Sequence, residues 1–397
     1  MALLRCRVCG SKDVTRRLHF RDFPCHIWPL ASEEGRLFRD ADVYVCRSCG
    51  HIQLQDFEPN FIENLYVHET FNLEDPRANQ DRVSTIERRL GAASLLGKRT
   101  LDIGGGRNAF STFLPEGEKW ICDLDVSDEL RRPGVRVVEG DFLEAGFPAG
   151  YFDFISMFHA LEHFNDPAAA VGRMAELLAP GGQILVEVPN IRSVIATMPY
   201  YAVLHQHISM FSSDTLTCLF GRQGLALENR FREDGVLFAA FSHGSTAHSE
   251  SVVFPDARLG QESVDALEQR LETMQTATST IPFAEDRSRV GLYGAGGSSA
   301  LFLAHFPHLK NRIGICFDQN VGKQGRFLPG TDIPIHSPDA IDRIPLEQLV
   351  FLSSGLRKAV GDERAIQTID IEQMILTLSS PEHSQAGNGV RRETERG

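Results

Sequence analysis

The chain has 397 residues, of which 42% are apolar and 23% charged, the composition of a globular protein of two or three domains rather than a disordered or fibrous one. The net charge of −13 argues against a broad phosphate-binding face, and the apolar runs are strand-sized, short of the roughly 18 residues that span a bilayer. Arg5 and Arg7 interrupt any signal-peptide core, so the expectation is a cytoplasmic protein, monomer or homodimer, with no nucleic-acid or membrane partner.

The first predicted element is a metal-binding segment within residues 1–75. Cys6-x-x-Cys9 and Cys46-x-x-Cys49 each place two thiolates on one tight turn, and each pair is followed by a glycine, Gly10 and Gly50. Two such knuckles give four-sulfur tetrahedral ligation, the structural zinc pattern, with no position open to a substrate. The 36 residues between the pairs exceed a compact zinc ribbon, so an insertion lies there. Cys25, Cys122, Cys218 and Cys316 are scattered singly and read as small buried hydrophobes.

Residues 76–250 alternate strands and helices. The strands are RTLDIGG, KWICDLD, VRVVEGD, FDFISMF and GQILVEVPN, and the helix DPAAAVGRMAELLAPGG stops at Pro180-Gly181-Gly182. Such alternation predicts a parallel, doubly wound α/β sheet. A connecting helix is expected over about 261–276. Residues 251–380 then repeat the strand–glycine turn–helix theme as a second Rossmann-like unit, and 381–397 lacks apolar anchors and reads as a disordered tail.

The glycine turn of the core, Leu101-Asp102-Ile103-Gly104-Gly105-Gly106, ends a strand, where glycine lets backbone turn close to a ligand. It is a poor dinucleotide fingerprint, because the third glycine position is Ala109. Asp102 before the turn, Asp125 ending KWICDLD, and Asp141-Phe142 after the next strand suit a cationic amino-acid nucleoside. In that reading Asp125 takes the ribose hydroxyls, Asp141 the adenine amino group, and Phe142 flanks the ring.

LDIGGG, these acids, FDFISMFHALEHFNDP and LLAPGGQILVEVPN together resemble the class I S-adenosylmethionine-dependent methyltransferases over roughly residues 95–230. The fold so implied is a Rossmann-like methyltransferase core, here with a small N-terminal zinc-binding domain and a C-terminal Rossmann-like α/β domain. That three-part order, with VGLYGAGGSSALFL and CFDQNVGKQGRFLPGTDIPIHSPDAI near the C-terminus, is similar to the zinc-containing sugar C-methyltransferases. These methylate the carbon beside the ketone of a nucleotide-linked ketosugar. LHQHISMFS resembles the family's Y-H-E-H-x-S-x-F-S motif, with Leu204 and Gln206 in place of its tyrosine and glutamate, and with His205 and His207 kept. The family's later G-G-S-x-R segment is not recognisable near EDGVLFAAF.

The resemblance implies S-adenosylmethionine and Zn2+ as cofactors and a small-molecule substrate. It makes His207 the first candidate for the base, since a neutral imidazole suits proton abstraction from carbon. His205 lies beside it, on the opposite face if the stretch is extended. His163, in ALEHFND, is a candidate to polarise the carbonyl, and Tyr66, in ENLYVHETF, falls where the family places an active-site tyrosine. The turn Gly294-Ala295-Gly296-Gly297 with Asp318 suits either a nucleotide site or a structural lid. Three functions remain open on sequence: C-methylation of a small keto substrate, O- or N-methylation of a natural-product intermediate, and non-catalytic ligand binding.

Overall fold

A computed structural model describes residues 4–31, 37–58, 60–67, 76–91, 95–244, 254–353, 355–357 and 366–378. The tail 381–397 lies outside them. The chain forms two compact units, Met1–Cys25 with Phe38–Glu268, and His26–Leu37 with Gln269–Gly397.

In the first unit the cysteine segment is an antiparallel meander of β1 (Val14–Pro24), β2 (Phe38–Cys46) and β3 (Ile52–Leu54). Ala41, Val43 and Val45 alternate inward along β2 and are fully buried, as a one-sided sheet requires. The segment does not build a separate core. Cys6, Val8, Cys46 and Cys49 belong to one apolar cluster with Leu216 and Phe220, more than 150 residues on.

After α1 (Phe61–Val67) and α2 (Pro76–Leu90) come four strands, β4 (Lys98–Ile103), β5 (Gly117–Asp123), β6 (Val135–Glu139) and β7 (Phe152–Phe158). All four match segments expected from sequence. Helix α3 (Pro167–Leu177) begins where Asp166 accepts the Ala169 N–H at 2.9 Å and Pro167 fills its first turn. It ends at Leu177, three residues before Pro180, and β8 (Leu178–Pro189) runs through the Pro-Gly-Gly stop. Proline disfavours helical backbone in the residue before it, and Leu178 is already paired with Phe152.

Then follow α4 (Ile191–Thr197), β9 (Ser209–Met210), α5 (Ser213–Gly221), β10 (Leu225–Arg232) and β11 (Val236–His243). Strand β9 pairs antiparallel with β3 and completes a four-stranded sheet, β1-β2-β3-β9. The LHQH residues before it form a turn, closed by the His207 N–H on the Leu204 carbonyl at 3.1 Å, and not an extended strand.

The central sheet has the order β10-β11-β8-β7-β4-β5-β6, parallel except for β11, which runs antiparallel to both neighbours. The winding reverses between β4 and β7. That switch point opens a crevice at the carboxyl ends of these two strands, where ligands bind in open α/β sheets.

Helix α6 (Ala257–Ser279) extends beyond the expected 261–276 at both ends. In the second unit, β12 (Val290–Tyr293), β13 (Ile315–Phe317), β14 (Ile335–His336), β15 (Gln348–Phe351) and β16 (Gln367–Asp370) form a parallel sheet in the order β14-β13-β12-β15-β16. It carries α7 (Gly297–His305) and α8 (Ile371–Leu378). Part of the insertion between the cysteine pairs belongs here, with Leu30 bridged to Phe327 and Ile27 against Gly297. No helix among the described residues is long and apolar enough to cross a membrane.

Candidate active site

The glycine turn after β4 sits at the switch point. A Cβ on Gly104 would lie 2.7 Å from the Ala160 Cβ, so the turn abuts the segment leaving β7. A Cβ on Gly106 would lie 2.1 Å from the Asp125 carbonyl oxygen, so only glycine fits that close approach. The Gly106 N–H donates to Asp123 at 2.8 Å.

The acids around the turn divide by partner. Asp102, on β4, accepts from the Ser156 hydroxyl at 2.8 Å and the Ser111 N–H at 3.1 Å, which ties β4 to β7 and to the turn at Phe110–Phe113. Asp125 lies two residues beyond the end of β5, is 67% exposed, and pairs with Arg107 at 2.5 Å. Asp141 accepts the Leu143 N–H at 2.9 Å, and Phe142 is buried against Phe147 and Phe164. Asp123, at the strand end itself, was not singled out in the sequence although KWICDLD holds both acids. Burial pushes its carboxyl up, against the N–H donors of Gly106 and Asp125 that favour the anion. Calorimetry with S-adenosylhomocysteine separates the two acids. The expected result is a fall in affinity of about tenfold for Asp125→Ala, one charge-assisted contact to the ribose; an unchanged affinity there with a loss in Asp123→Asn would move the contact to Asp123.

Beyond β7 lies a cluster of charge around the buried Glu162 and Glu187, with His159 partly exposed between them. Glu162 is 1% exposed, and its Oε1 is 3.5 Å from His159 Nδ1, 3.9 Å from His163 Nε2 and 4.0 Å from His207 Nε2. The His163 Nδ1–H donates to the Gln206 carbonyl at 2.6 Å, which orients His163 and pins the LHQH turn to it, and the two rings are 4.9 Å apart. His207 also lines a cleft with Pro189, Ile191, Val194, Tyr201 and Ser209. Burial and the neighbouring His163 push the His207 imidazole down to about 3 against the pull of Glu162, so it is neutral. His205 points elsewhere: its Nδ1–H donates to the Pro24 carbonyl at 3.2 Å, and its ring packs among Phe23, Phe57 and Phe61. Tyr66 lies on α1. The structure thus brings His163 and His207 together and separates His205 from both.

His159 and Glu162 lie within FDFISMFHALEHFNDP and Glu187 within LLAPGGQILVEVPN, but no sequence pattern assigned a role to any of them or to Arg82. Glu187, at the end of β8, accepts from Arg82 of α2 at 2.6 and 3.2 Å and lies 3.1 Å from His159 Nε2. His159 has φ +50°, a strained value for a residue other than glycine. Burial alone would lower its pKa, but Glu162 and Glu187 raise it to about 10, while the same contacts hold both glutamates, despite burial, at about 2. The signs set a pH window. The glutamates stabilise the fold above their ordinary 4.5 and lose that contribution as pH falls through 2; His159 stabilises below its ordinary 6.5 and loses it as pH rises through 10. Urea melts across pH should show a plateau near pH 5–6, and His159→Gln should flatten the decline between about pH 7 and 10. An unaltered alkaline decline would sink this account.

In the same unit, the sulfurs of Cys6, Cys9, Cys46 and Cys49 lie within 4.8 Å of one another, with Cys6–Cys49 and Cys9–Cys46 both at 3.5 Å. Gly10 and Gly50 take φ near +70° and donate to the Cys6 and Cys46 carbonyls, while the Cys9 and Ser48 N–H groups donate to the Cys6 and Cys46 sulfurs. Four unoxidised thiols so close fit one tetrahedral metal ion, whose ~2.3 Å bonds to sulfur set sulfur spacings of about 3.8 Å. In the second unit, Asp318 accepts the Ala295 N–H at 2.7 Å and pairs with Lys323 at 3.1 Å, which joins the glycine turn to the end of β13.

Residues 71–229 match the family model described as a methyltransferase domain, and residues 261–369 match that of a C-methyltransferase C-terminal domain. The chain is an S-adenosylmethionine-dependent methyltransferase. Being an enzyme, it is not the non-catalytic binder that the sequence left open. This methyltransferase is similar to C-methyltransferase NovU of Streptomyces niveus, with 26% identity over 395 residues, covering 90% of this chain and 92% of the relative. It is 32% identical over 126 residues to the ubiquinone biosynthesis O-methyltransferase of Aromatoleum aromaticum, covering 28% of this chain and 51%, about half, of that relative. Among solved structures, the 1,6-didemethyltoxoflavin-N1-methyltransferase of Burkholderia thailandensis, with 1,6-didemethyltoxoflavin and S-adenosylhomocysteine bound, is 15% identical, covering 49% of this methyltransferase and 96% of that chain at a TM-score of 0.38.

Proposed function

We propose that this methyltransferase acts on carbon beside a ketone, in a small substrate such as a nucleotide-linked ketosugar, through an enolate formed with help from His207. The observation that carries the reading is the pair of neutral imidazoles, His163, oriented by the Gln206 carbonyl, and His207, which lines a cleft with Pro189 and Tyr201. Carbon needs such a base, whereas an ionised oxygen does not. The C-methyltransferase C-terminal match and the relative spanning nearly the whole chain support it.

In this reading S-adenosylmethionine is held by the Gly104–Gly106 turn, with Asp102 fixing the turn from behind, Asp125 on the ribose, and Asp141 and Phe142 at the adenine. When bound it supplies an electrophilic sulfonium methyl group. His207 removes the proton and His163 polarises the carbonyl. Tyr66 is a further candidate for substrate contact, and His205 anchors the LHQH turn through Pro24. One structural Zn2+ sits in Cys6, Cys9, Cys46 and Cys49. The division into a zinc domain (1–75), a core (76–250) and a substrate or lid domain (251–380) belongs to the same proposal.

Gln206, uncharged where the resembled motif carries an acid, favours a second reading, transfer to oxygen or nitrogen. A panel of thymidine- and uridine-diphosphate-linked 4-ketohexoses, incubated with S-adenosylmethionine, tests the choice. Mass spectrometry and NMR of the product should place the new methyl on carbon beside the ketone; a methyl on oxygen or nitrogen would establish the second reading.

A further inference from the structure

We propose that Glu162 is a positioning residue that acts through His207, as the charge partner of the base that the LHQH turn itself does not provide. The inference rests on the C-methylation reading above. Its starting point is an unusual environment: Glu162 is 1% exposed, yet neither carboxylate oxygen has a hydrogen-bond partner. A buried anion without donors is costly unless its surroundings compensate. Here three imidazoles approach it, His159 at 3.5 Å, at the outer limit of hydrogen-bond distance, and His163 and His207 at 3.9 and 4.0 Å, within Coulomb range. The nearest ring, His159, already carries a proton and is shared with Glu187, so the negative field of Glu162 also reaches the neutral pair His163 and His207.

His207 is the ring of that pair placed to take up a proton. Its Nε2 faces Glu162, so with the proton of the neutral ring on Nε2 the lone pair lies on Nδ1. When the substrate C–H bond breaks, its electron pair stays with the substrate as the enolate and the proton goes to Nδ1. The imidazolium so formed has a carboxylate about 4 Å behind it. Gln206, next to His207 in the chain, brings no charge; Glu162 brings it from the segment leaving β7, 45 residues earlier.

The rest of the cluster keeps that charge in place. His159 lies between Glu162 and Glu187, and Glu187 is held by Arg82, which also donates to Asn79 at 2.6 Å. The chain of alternating charge, Arg82–Glu187–His159–Glu162, ends at the histidine pair. His159 adopts its left-handed backbone at this point, a conformation that persists only where the surroundings over-determine it.

The test isolates proton removal from methyl transfer. The 4-ketohexose nucleotide that the wild-type protein methylates is deuterated beside the ketone and incubated with the protein and S-adenosylhomocysteine, and deuterium loss to water is followed by NMR. The wild type should exchange. Glu162→Gln should exchange more slowly by about tenfold to a hundredfold, the ordinary contribution of a supported base, with S-adenosylhomocysteine affinity within about twofold and KM little changed. Glu162→Asp keeps the charge but draws it back, and should slow exchange by about threefold. If Glu162→Gln does not fold, as lost S-adenosylhomocysteine binding would reveal, Glu162→Asp decides by the same readout. Wild-type exchange in the variants that fold overturns the role of Glu162 and leaves the C-methylation reading standing. A wild-type protein that methylates the probe on oxygen or nitrogen without exchanging deuterium overturns that reading and this inference together.

Discussion

Replacing His207 by alanine is expected to lower turnover about a hundredfold or more while S-adenosylhomocysteine binds with unchanged affinity. His207 lies on the turn before β9, held there because the Gln206 carbonyl accepts from His163 and because β9 pairs with β3. Among the described residues its neighbours include Glu162, His163 and the residues of the cleft, so truncation removes the proton acceptor and should leave the cofactor crevice intact. Burial keeps the imidazole neutral across the working pH range, so the wild-type profile should show no loss of activity near pH 6.5, where a solvated histidine would protonate. Steady-state kinetics with isothermal calorimetry on the same protein is the measurement. Near-normal turnover of His207→Ala would point to an oxygen or nitrogen nucleophile and end the C-methylation reading.

The largest effect on stability is expected at the four cysteines. Protein purified without chelator should hold one zinc per chain by elemental analysis, and Cys46→Ser with Cys49→Ser should lose it and lose cooperative melting of the first unit. Apparent zinc binding in four-ligand sites is worth about 10–16 kcal/mol, comparable with the ~5–15 kcal/mol that keeps a whole domain folded. The effect should spread beyond the knuckles, because Cys6, Cys46 and Cys49 are buried in the same cluster as the core residues Leu216 and Phe220. The same variants should therefore weaken S-adenosylhomocysteine binding, although the cysteines lie outside the cofactor crevice. Zinc-free wild-type protein, or zinc fully retained in the double variant, would refute the assignment.

The sequence by itself determined what depends on local pattern. Strands β4 to β8 were legible as short apolar runs, β4 to β6 ending in glycine or acid and β8 in Pro189-Asn190, and α3 because the helical pattern from Asp166-Pro167 runs to a Pro-Gly-Gly stop. The cysteine knuckles were legible because two-residue spacing and a following glycine describe one turn. The glycine turn, with acids after successive strands, pointed to the cofactor class in the same way.

Tertiary structure decided the rest, for reasons of distance. Whether Asp123 or Asp125 faces the turn depends on where β5 stops pairing with β6, and a string of alternating acids does not encode that. An extended LHQH stretch would put His205 and His207 on opposite faces; instead the His207 N–H closes a turn on Leu204, and the two part there, one toward Pro24 and the other toward Glu162. The buried charges were the least legible of all. Arg82 and Glu187 are 105 residues apart, and each looks like an ordinary surface residue until the sheet brings α2 over the end of β8. A charge can be buried only where its partner is already in place, and that partner is supplied by the fold, not by neighbours in sequence.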